Sequence, residues 1–247
     1  MEKLLNIKEA AEFLNVSEMT IRRWTNDGLL KCYRVGGRRA RRFKQKDLLA
    51  YLKGDVASDI PLGIKGFEVP DGSHVTHLGL DPEESFDIAV SFVLEGLVNE
   101  ETVCVVSPDA ESKQLFEVLK NRSIDAASLI KAGRLHFNHG MNTPVEQARY
   151  ITGVAGSAEK RFRIFGDMTW AKEKGWLTND LQELENIVNI SQTKGMLFLC
   201  QYKLGRFSGE EALMALESHS HHIYKGALKE NPFKRVDQMR SLGLFGL

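Results

Sequence analysis

The chain has 247 residues, 43% of them hydrophobic and 27% charged, with 33 Lys/Arg balancing 33 Asp/Glu. That makeup belongs to a globular protein of one large or two ordinary domains, long enough to bury real cores. No run approaches the ~20 apolar residues of a membrane helix. The start, MEKLLNIKEAAEFL, lacks the apolar segment and cleavage site of a secretory leader, so a cytoplasmic protein without a membrane partner is expected. Cys32, Cys104 and Cys200 are widely spaced and odd in number, which argues against a disulfide framework and leaves no CxxC zinc pair.

The overall neutrality hides a division. Residues 1–53 carry 13 Lys/Arg against 6 Asp/Glu, and the remainder 20 against 27. A small basic module is joined to a larger acidic one, and the basic part suits a polyanion.

Within the basic module, Ile7, Ala10, Ala11 and Leu14 have the spacing of a short amphipathic helix. Asn15-Val16 breaks it. Ser17 then serves as N-cap of a second helix that turns Ile21 and Trp24 inward, leaves Glu18, Thr20, Arg22 and Arg23 outward, and ends at Asp27-Gly28. Two short helices joined by a tight turn form the arrangement that lays a recognition helix in the major groove of DNA. Next, Gly36-Gly37 between β-prone flanks signals a hairpin, with Arg34, Arg38, Arg39, Arg41 and Arg42 around it. Arginine forks pair with phosphate oxygens and release counterions, so the hairpin reads as a wing. Residues 45–53 read as a third helix.

The segment Ile7–Lys53, with AAEFLNVSEMTIRRWTNDGLL followed by RVGGRRARRFKQKDLLAYL, resembles the MerR/excisionase-type winged helix-turn-helix. The resemblance implies that Ser17, Thr20, Arg22 and Arg23 approach bases and nearby phosphates, while Arg34, Arg38, Arg39, Arg41 and Arg42 hold the backbone of double-stranded DNA.

Residues 54–72 (GDVASDIPLGIKGFEVPDG) are rich in Gly, Pro and Asp and read as a linker. From 73 to 230, strand-like stretches (His74–Leu80, Thr102–Ser107, Arg134–Asn138, Arg161–Asp167, Met196–Tyr202, His222–Lys225) alternate with helix-like ones (Glu83–Val98, Ala110–Lys120, Ala126–Lys131, Val145–Ser157, Asp180–Thr193, Gly209–Ser218). Continuous apolar runs such as Val103–Val106 and Met196–Cys200 belong to a parallel sheet covered on both faces. The expectation is a three-layer α/β domain with a mostly parallel sheet. The tail, 231–247, places Val236, Met239 and Leu242 at helical spacing and reads as a docking or dimer-contact segment.

The first βα turn, Leu78-Gly-Leu-Asp-Pro-Glu-Glu-Ser85, has one glycine, no lysine and three acids. The chain holds neither GxxxxGK[ST] nor GxGxxG, so no nucleotide cofactor and no catalytic residue are expected. Pocket candidates lie where strands end. They are His77, Asp167, Trp170, Cys200, Tyr202 and His219, converging on a small-molecule site. Each has a plainer alternative: packing for Trp170 and Tyr202, a turn cap for Asp167, an inert buried thiol for Cys200. His74-x-x-His77 and the group His219, His221 and His222 have metal-like spacing but lie off a helix, and no metal is expected from them.

The His77 turn with DPEESFDIAVSFVLEGL, then ETVCVVSPD, IDAASLIKAGRLHF, GDMTW, and LCQY followed by GRFSGEEALMALESH, resembles the MEDS domain, the sensory domain of dichloromethane-dehalogenase-type regulators. That resemblance implies a RecA/KaiC-like fold without the phosphate loop and a small hydrocarbon derivative as effector. Together the two halves read as a ligand-responsive, DNA-binding transcription regulator acting as a homodimer. The alternatives from other classes are a degenerate nucleotide- or metal-dependent enzyme tethered to DNA, and an excisionase-like architectural factor.

Overall fold

The computed structural model describes residues 4–26, 30–36, 40–52, 59–191, 194–231 and 233, and the chain divides into two compact units at Ser58/Asp59. In the first unit, α1 (Ile7–Leu14) starts at Asn6, whose side chain accepts from the backbone of Lys8 and Glu9, while Glu9 reaches back to the Asn6 N–H. Such a box satisfies otherwise orphaned donors at both ends of one turn. Asn15, left-handed at φ 51°, stops the helix. Ser17 caps α2 (Glu18–Asn26) by accepting from the Thr20 N–H at 3.1 Å. β1 (Tyr33–Val35) and β2 (Ala40–Arg42) pair antiparallel, and α3 (Gln45–Leu52) follows. Ala10, Ala11, Leu14, Ile21, Leu30, Phe43 and Leu48 make the core, with Trp24 packed on Tyr51 at 4.6 Å between ring centres. The proposed helix end at Asp27-Gly28, and Gly37, Arg38, Arg39, Lys53 and the tail from 234 onward, lie outside the described residues.

The second unit begins earlier than the linker reading allows. β3 (Asp59–Pro61) and β4 (Glu68–Pro70) pair as an antiparallel hairpin, and Ile60, Leu62, Ile64 and Val69 are buried in the core of the following domain. Residues 59–72 are therefore part of the fold. The physical reason is the buried Arg163: its guanidinium donates to the carbonyls of Pro61 and Leu62, at 3.0 and 3.5 Å, and pairs with Glu101 at 2.5 Å.

The rest is β5 (His74–Gly79), α4 (Pro82–Val98), β6 (Thr102–Val106), α5 (Asp109–Asn121), α6 (Ala126–Lys131), β7 (Leu135–Asn138), α7 (Pro144–Gly156), β8 (Phe162–Asp167), α8 (Thr169–Glu173), α9 (Thr178–Ser191), β9 (Met196–Lys203), α10 (Gly209–Ser218), β10 (His221–Tyr224) and β11 (Ala227–Glu230). The seven strands run in the order β11-β10-β5-β9-β8-β6-β7, parallel except for the β10–β11 hairpin. Alternate residues of one strand feed two cores, as a period of two requires. Val103 and Val105 of β6 meet α4, α5 and α6 on one face. Cys104 and Val106 meet the α7–α10 side on the other. The sheet is mostly parallel and sandwiched between helical layers, as its continuous apolar strands imply.

Candidate functional site

On the DNA-facing unit, Ser17, Arg22 and Arg23 are exposed and Thr20 is half-buried against Ser17. Arg22 forms an i,i+4 pair with Glu18 at 3.7 Å, weak enough to be exchanged for a phosphate. In the hairpin, Arg34 is exposed and lies opposite Arg41. Arg41 donates to Asn26 Oδ1 at 2.5 Å, tying the wing to the end of α2, and Arg42 donates to the Arg41 carbonyl. Thus Arg41 positions the wing as much as it offers charge.

The pocket candidates do not converge on one site. The pleat divides them between the two faces of the sheet. His77 faces the α4 side, where its Nδ1 accepts from Gln201 Nε2 at 2.9 Å, while the same amide also donates to the Ser85 carbonyl. His77 Nε2 and Ser85 Oγ are buried without a hydrogen-bond partner. Burial pulls the His77 pKa down to about 4. On that face a cleft with about 380 Å³ of room for water centres opens beyond the ends of β6, β8 and β9, lined by Ser107, Glu111, Asp167, Gln201 and Lys203 among others. Asp167 takes the plainer role of a turn cap and adds an ion pair at the cleft. Its Oδ1 accepts from the backbone and hydroxyl of Thr169, capping the turn, and its Oδ2 pairs with Lys203 at 2.7 Å. Burial alone would lower the Lys203 pKa, but Asp167 and Glu111 outweigh it and raise it.

This cleft occupies the phosphate position of an open α/β sheet, yet no phosphate cradle exists there. Asp81 fills the start of α4 with its own carboxylate, accepting from the Glu84 N–H at 2.9 Å, and Pro82, which has no N–H, follows it.

The opposite face carries Trp170, Cys200, Tyr202 and His219. Trp170 is buried edge-on to Trp176, with ring centres 4.8 Å apart, and presses on Gly140, where φ is +82° and a Cβ would fall 2.0 Å from the indole. Behind it lies a cavity with about 30 Å³ of room for water centres, lined by Val106, Gln147, Ile151, Ile164, Trp170 and Cys200 among others. One water needs roughly 10–15 Å³ by that measure, so the space matches a molecule of a few heavy atoms. Trp170 Nε1 and Gln147 Nε2 are buried donors without a partner. Gln147 Oε1 already accepts from the Met141 N–H. Beside the cavity, His74, Glu185, Cys200 and His219 bring their donor atoms within 4.8 Å of one another. The histidine groups foreseen from spacing do not form: His77 is on the far face, and His221 and His222 lie along β10, with the His221 ring on Ser220 Oγ.

Gln147, Glu185 and Asn189 were missed by the sequence reading, although two carry a legible signal. Gln147 falls on the Pro144, Ala148, Ile151 stripe of α7, and Glu185 on the Leu181, Leu184, Val188 stripe of α9. A polar residue on the apolar face of a helix needs a buried partner.

A helix-turn-helix unit followed by an α/β domain with a small apolar cavity and no phosphate cradle at the start of α4 defines a DNA-binding transcription regulator with a sensory domain. Residues 73–220 match the family described as MEthanogen/methylotroph, DcmR Sensory domain, and residues 4–55 match a helix-turn-helix domain family. The chain belongs to the MEDS sensory-domain family. It is 32% identical over 253 residues to the transcriptional repressor DcmR of Methylorubrum extorquens (strain DSM 6343 / CIP 106787 / DM4), covering 93% of this chain and 94% of that one. Among solved structures, a KaiC-like protein of the archaeon Pyrococcus horikoshii OT3 matches with a TM-score of 0.51 at 17% identity, over 67% of this chain and 79% of that one, which bears out the RecA/KaiC-like fold.

Proposed function

We propose that this protein is a cytoplasmic repressor that binds DNA as a homodimer through a MerR/excisionase-like winged unit and responds to a small, mostly apolar effector. We place that effector in the cavity behind Trp170, on the α7–α9 face, and not in the acid-lined cleft of Asp167 and Lys203. The observation that carries this reading is the wholly apolar surface of that cavity, walled by Val106, Ile151, Ile164, Phe198 and Trp170. A short carbon skeleton in such a space leaves water at a gain of roughly 25 cal/mol per Å² of apolar surface buried. His77 and Asp167, on the other face, take no part. No catalytic role is assigned to the chain.

The test is thermal unfolding of the full-length protein with a series of one- to three-carbon halogenated and hydroxylated hydrocarbons. A true effector at a hundredfold excess over its Kd stabilises by about 2.7 kcal/mol. We expect one class of the series to raise Tm, the rise to shrink in Trp170→Phe and Gln147→Leu, and Asp167→Asn to leave it unchanged. A series that never moves Tm, or a rise indifferent to Trp170 and Gln147, refutes the assignment.

A further inference from the structure

Four side chains from four elements meet beside that cavity: His74 from β5, Glu185 from α9, Cys200 from β9 and His219 just after α10. Three of the four are oriented by a neighbour outside the cluster. Asn189 donates its amide N–H to the Ser218 carbonyl, so its Oδ1 faces His74 Nδ1 at 3.1 Å and accepts the N–H of that nitrogen. His219 Nδ1 donates to the Ala215 carbonyl at 2.6 Å. With Nδ1 protonated on both rings, the neutral imidazoles turn their Nε2 lone pairs inward. Tyr202 donates its hydroxyl to Glu185 Oε1 at 2.7 Å, leaving Oε2 toward the two rings.

The spacings bear on two accounts, a cluster held by hydrogen bonds and ion pairs and a shared ion. His74 Nε2 lies 3.3 Å from Cys200 Sγ and 3.4 Å from Glu185 Oε2, and His219 Nε2 lies 3.6 Å from the same Oε2. Both nitrogen–carboxylate distances exceed the 2.7–3.2 Å range of N–H···O hydrogen bonds. The three distances are close to the edges of a tetrahedron around one ion, and all four donor atoms lie within 4.8 Å of one another. With bonds of about 2.0–2.1 Å to nitrogen and oxygen and about 2.3 Å to sulfur, neighbouring ligand atoms sit roughly 3.3–3.6 Å apart. Carboxylate and thiolate together balance a divalent charge, leaving a neutral buried site. Imidazole Nδ1–H groups held by an amide and a backbone carbonyl are the usual outer support of metal-bound histidines.

We propose that His74, Glu185, Cys200 and His219 form a four-coordinate site for a divalent transition ion of the zinc type, closed by protein ligands and fastening α9 and the end of α10 to the sheet. This reverses the expectation, drawn from histidine spacing alone, that the chain binds no metal. It stands independently of the effector assignment, because its readouts involve the ion alone.

The test uses the full-length protein, analysed for metal as purified from zinc-supplemented medium and then, after chelation, titrated with Co²⁺. The expected results are about one zinc per chain, one tetrahedral cobalt spectrum with a thiolate-to-cobalt charge-transfer band, and loss of that band in Cys200→Ser with the fold retained. His219→Gln is expected to lower the zinc content at least tenfold. A metal-free protein that also yields no saturable cobalt spectrum overturns the proposal, and so does a charge-transfer band that survives in Cys200→Ser.

Discussion

His77 sits inside the sheet with its Nδ1 committed as an acceptor from Gln201, and its pKa falls from the usual 6.5 to about 4 because burial disfavours the imidazolium. Its folded pKa is thus depressed. Between pH 6.5 and pH 4 the unfolded chain takes up a proton that the folded chain refuses, so the contribution is whole above 6.5 and is lost as the pH falls through that window. The loss runs at about 1.4 kcal/mol per pH unit, roughly 3 kcal/mol across the window. His77→Asn keeps an acceptor for Gln201 and removes the titration. We expect urea unfolding of that variant to lose less stability than the native protein between pH 7 and pH 4.5. Equal pH slopes would show that His77 titrates alike in the folded and unfolded chain. Cys200, by contrast, has a thiol pushed well above its ordinary range by burial and by the Glu185 carboxylate, so it is no thiolate nucleophile in the ion-free protein.

Elements were legible in proportion to how strongly each buries a periodic face. β5, β6, β8 and β9 are apolar runs with both faces covered, and their expected spans agree with the observed ones to within a residue or two. The β3–β4 hairpin escaped notice because each strand is three residues long and carries a proline, a composition that reads as loop. Its burial is decided by Arg163, about a hundred residues away, whose guanidinium it caps. β11 was missed for a similar reason: Ala-Leu-Lys-Glu is a half-polar edge strand, placed only by its register with β10. The split of the pocket candidates was also out of reach. It depends on which face each side chain takes once β5 and β9 pair with His77 beside Gln201, and a slip of one residue would reverse it. The hairpin itself makes a prediction. A fragment starting at Asp59 is expected to unfold cooperatively, whereas one starting at Ser73 loses Ile60, Leu62, Ile64 and Val69 from the core and leaves Arg163 short of two carbonyl acceptors. Arg163 keeps Glu101 and the Phe92 carbonyl, but each donor left buried without its acceptor costs roughly 1–3 kcal/mol. The shorter fragment is expected to be unfolded or to bind a hydrophobic dye. A native-like melt from the Ser73 fragment would return residues 59–72 to the status of linker.

At the scale of the whole chain, charge is segregated along the sequence: the excess of seven basic residues within 1–53 is offset by an equal acidic excess in the rest, since the totals are 33 and 33. Counterion release gives the first unit an affinity for any duplex that falls steeply with salt. It does not give it a sequence, because one short helix reaches only a few base edges. In the dimer proposed above, selectivity comes from two copies held so that two α2 helices enter successive major grooves roughly 34–36 Å apart, and the effector acts by preferring one arrangement of the pair. The first unit, 1–58, has its own core of Ala10, Ile21, Leu30, Phe43 and Leu48, so the two contributions are separable. The isolated unit is expected to bind any duplex weakly, and Arg38→Ala/Arg39→Ala to reduce the slope of log affinity against log salt by about 1.8, near 0.9 for each phosphate no longer neutralised. The full chain is expected to bind its operator far more tightly than random DNA, and to lose that preference when half a helical turn is inserted between half-sites. A full chain that tolerates the insertion acts without dimer geometry. If the fragment's salt slope is unmoved by the double substitution, the hairpin arginines do not meet the phosphates.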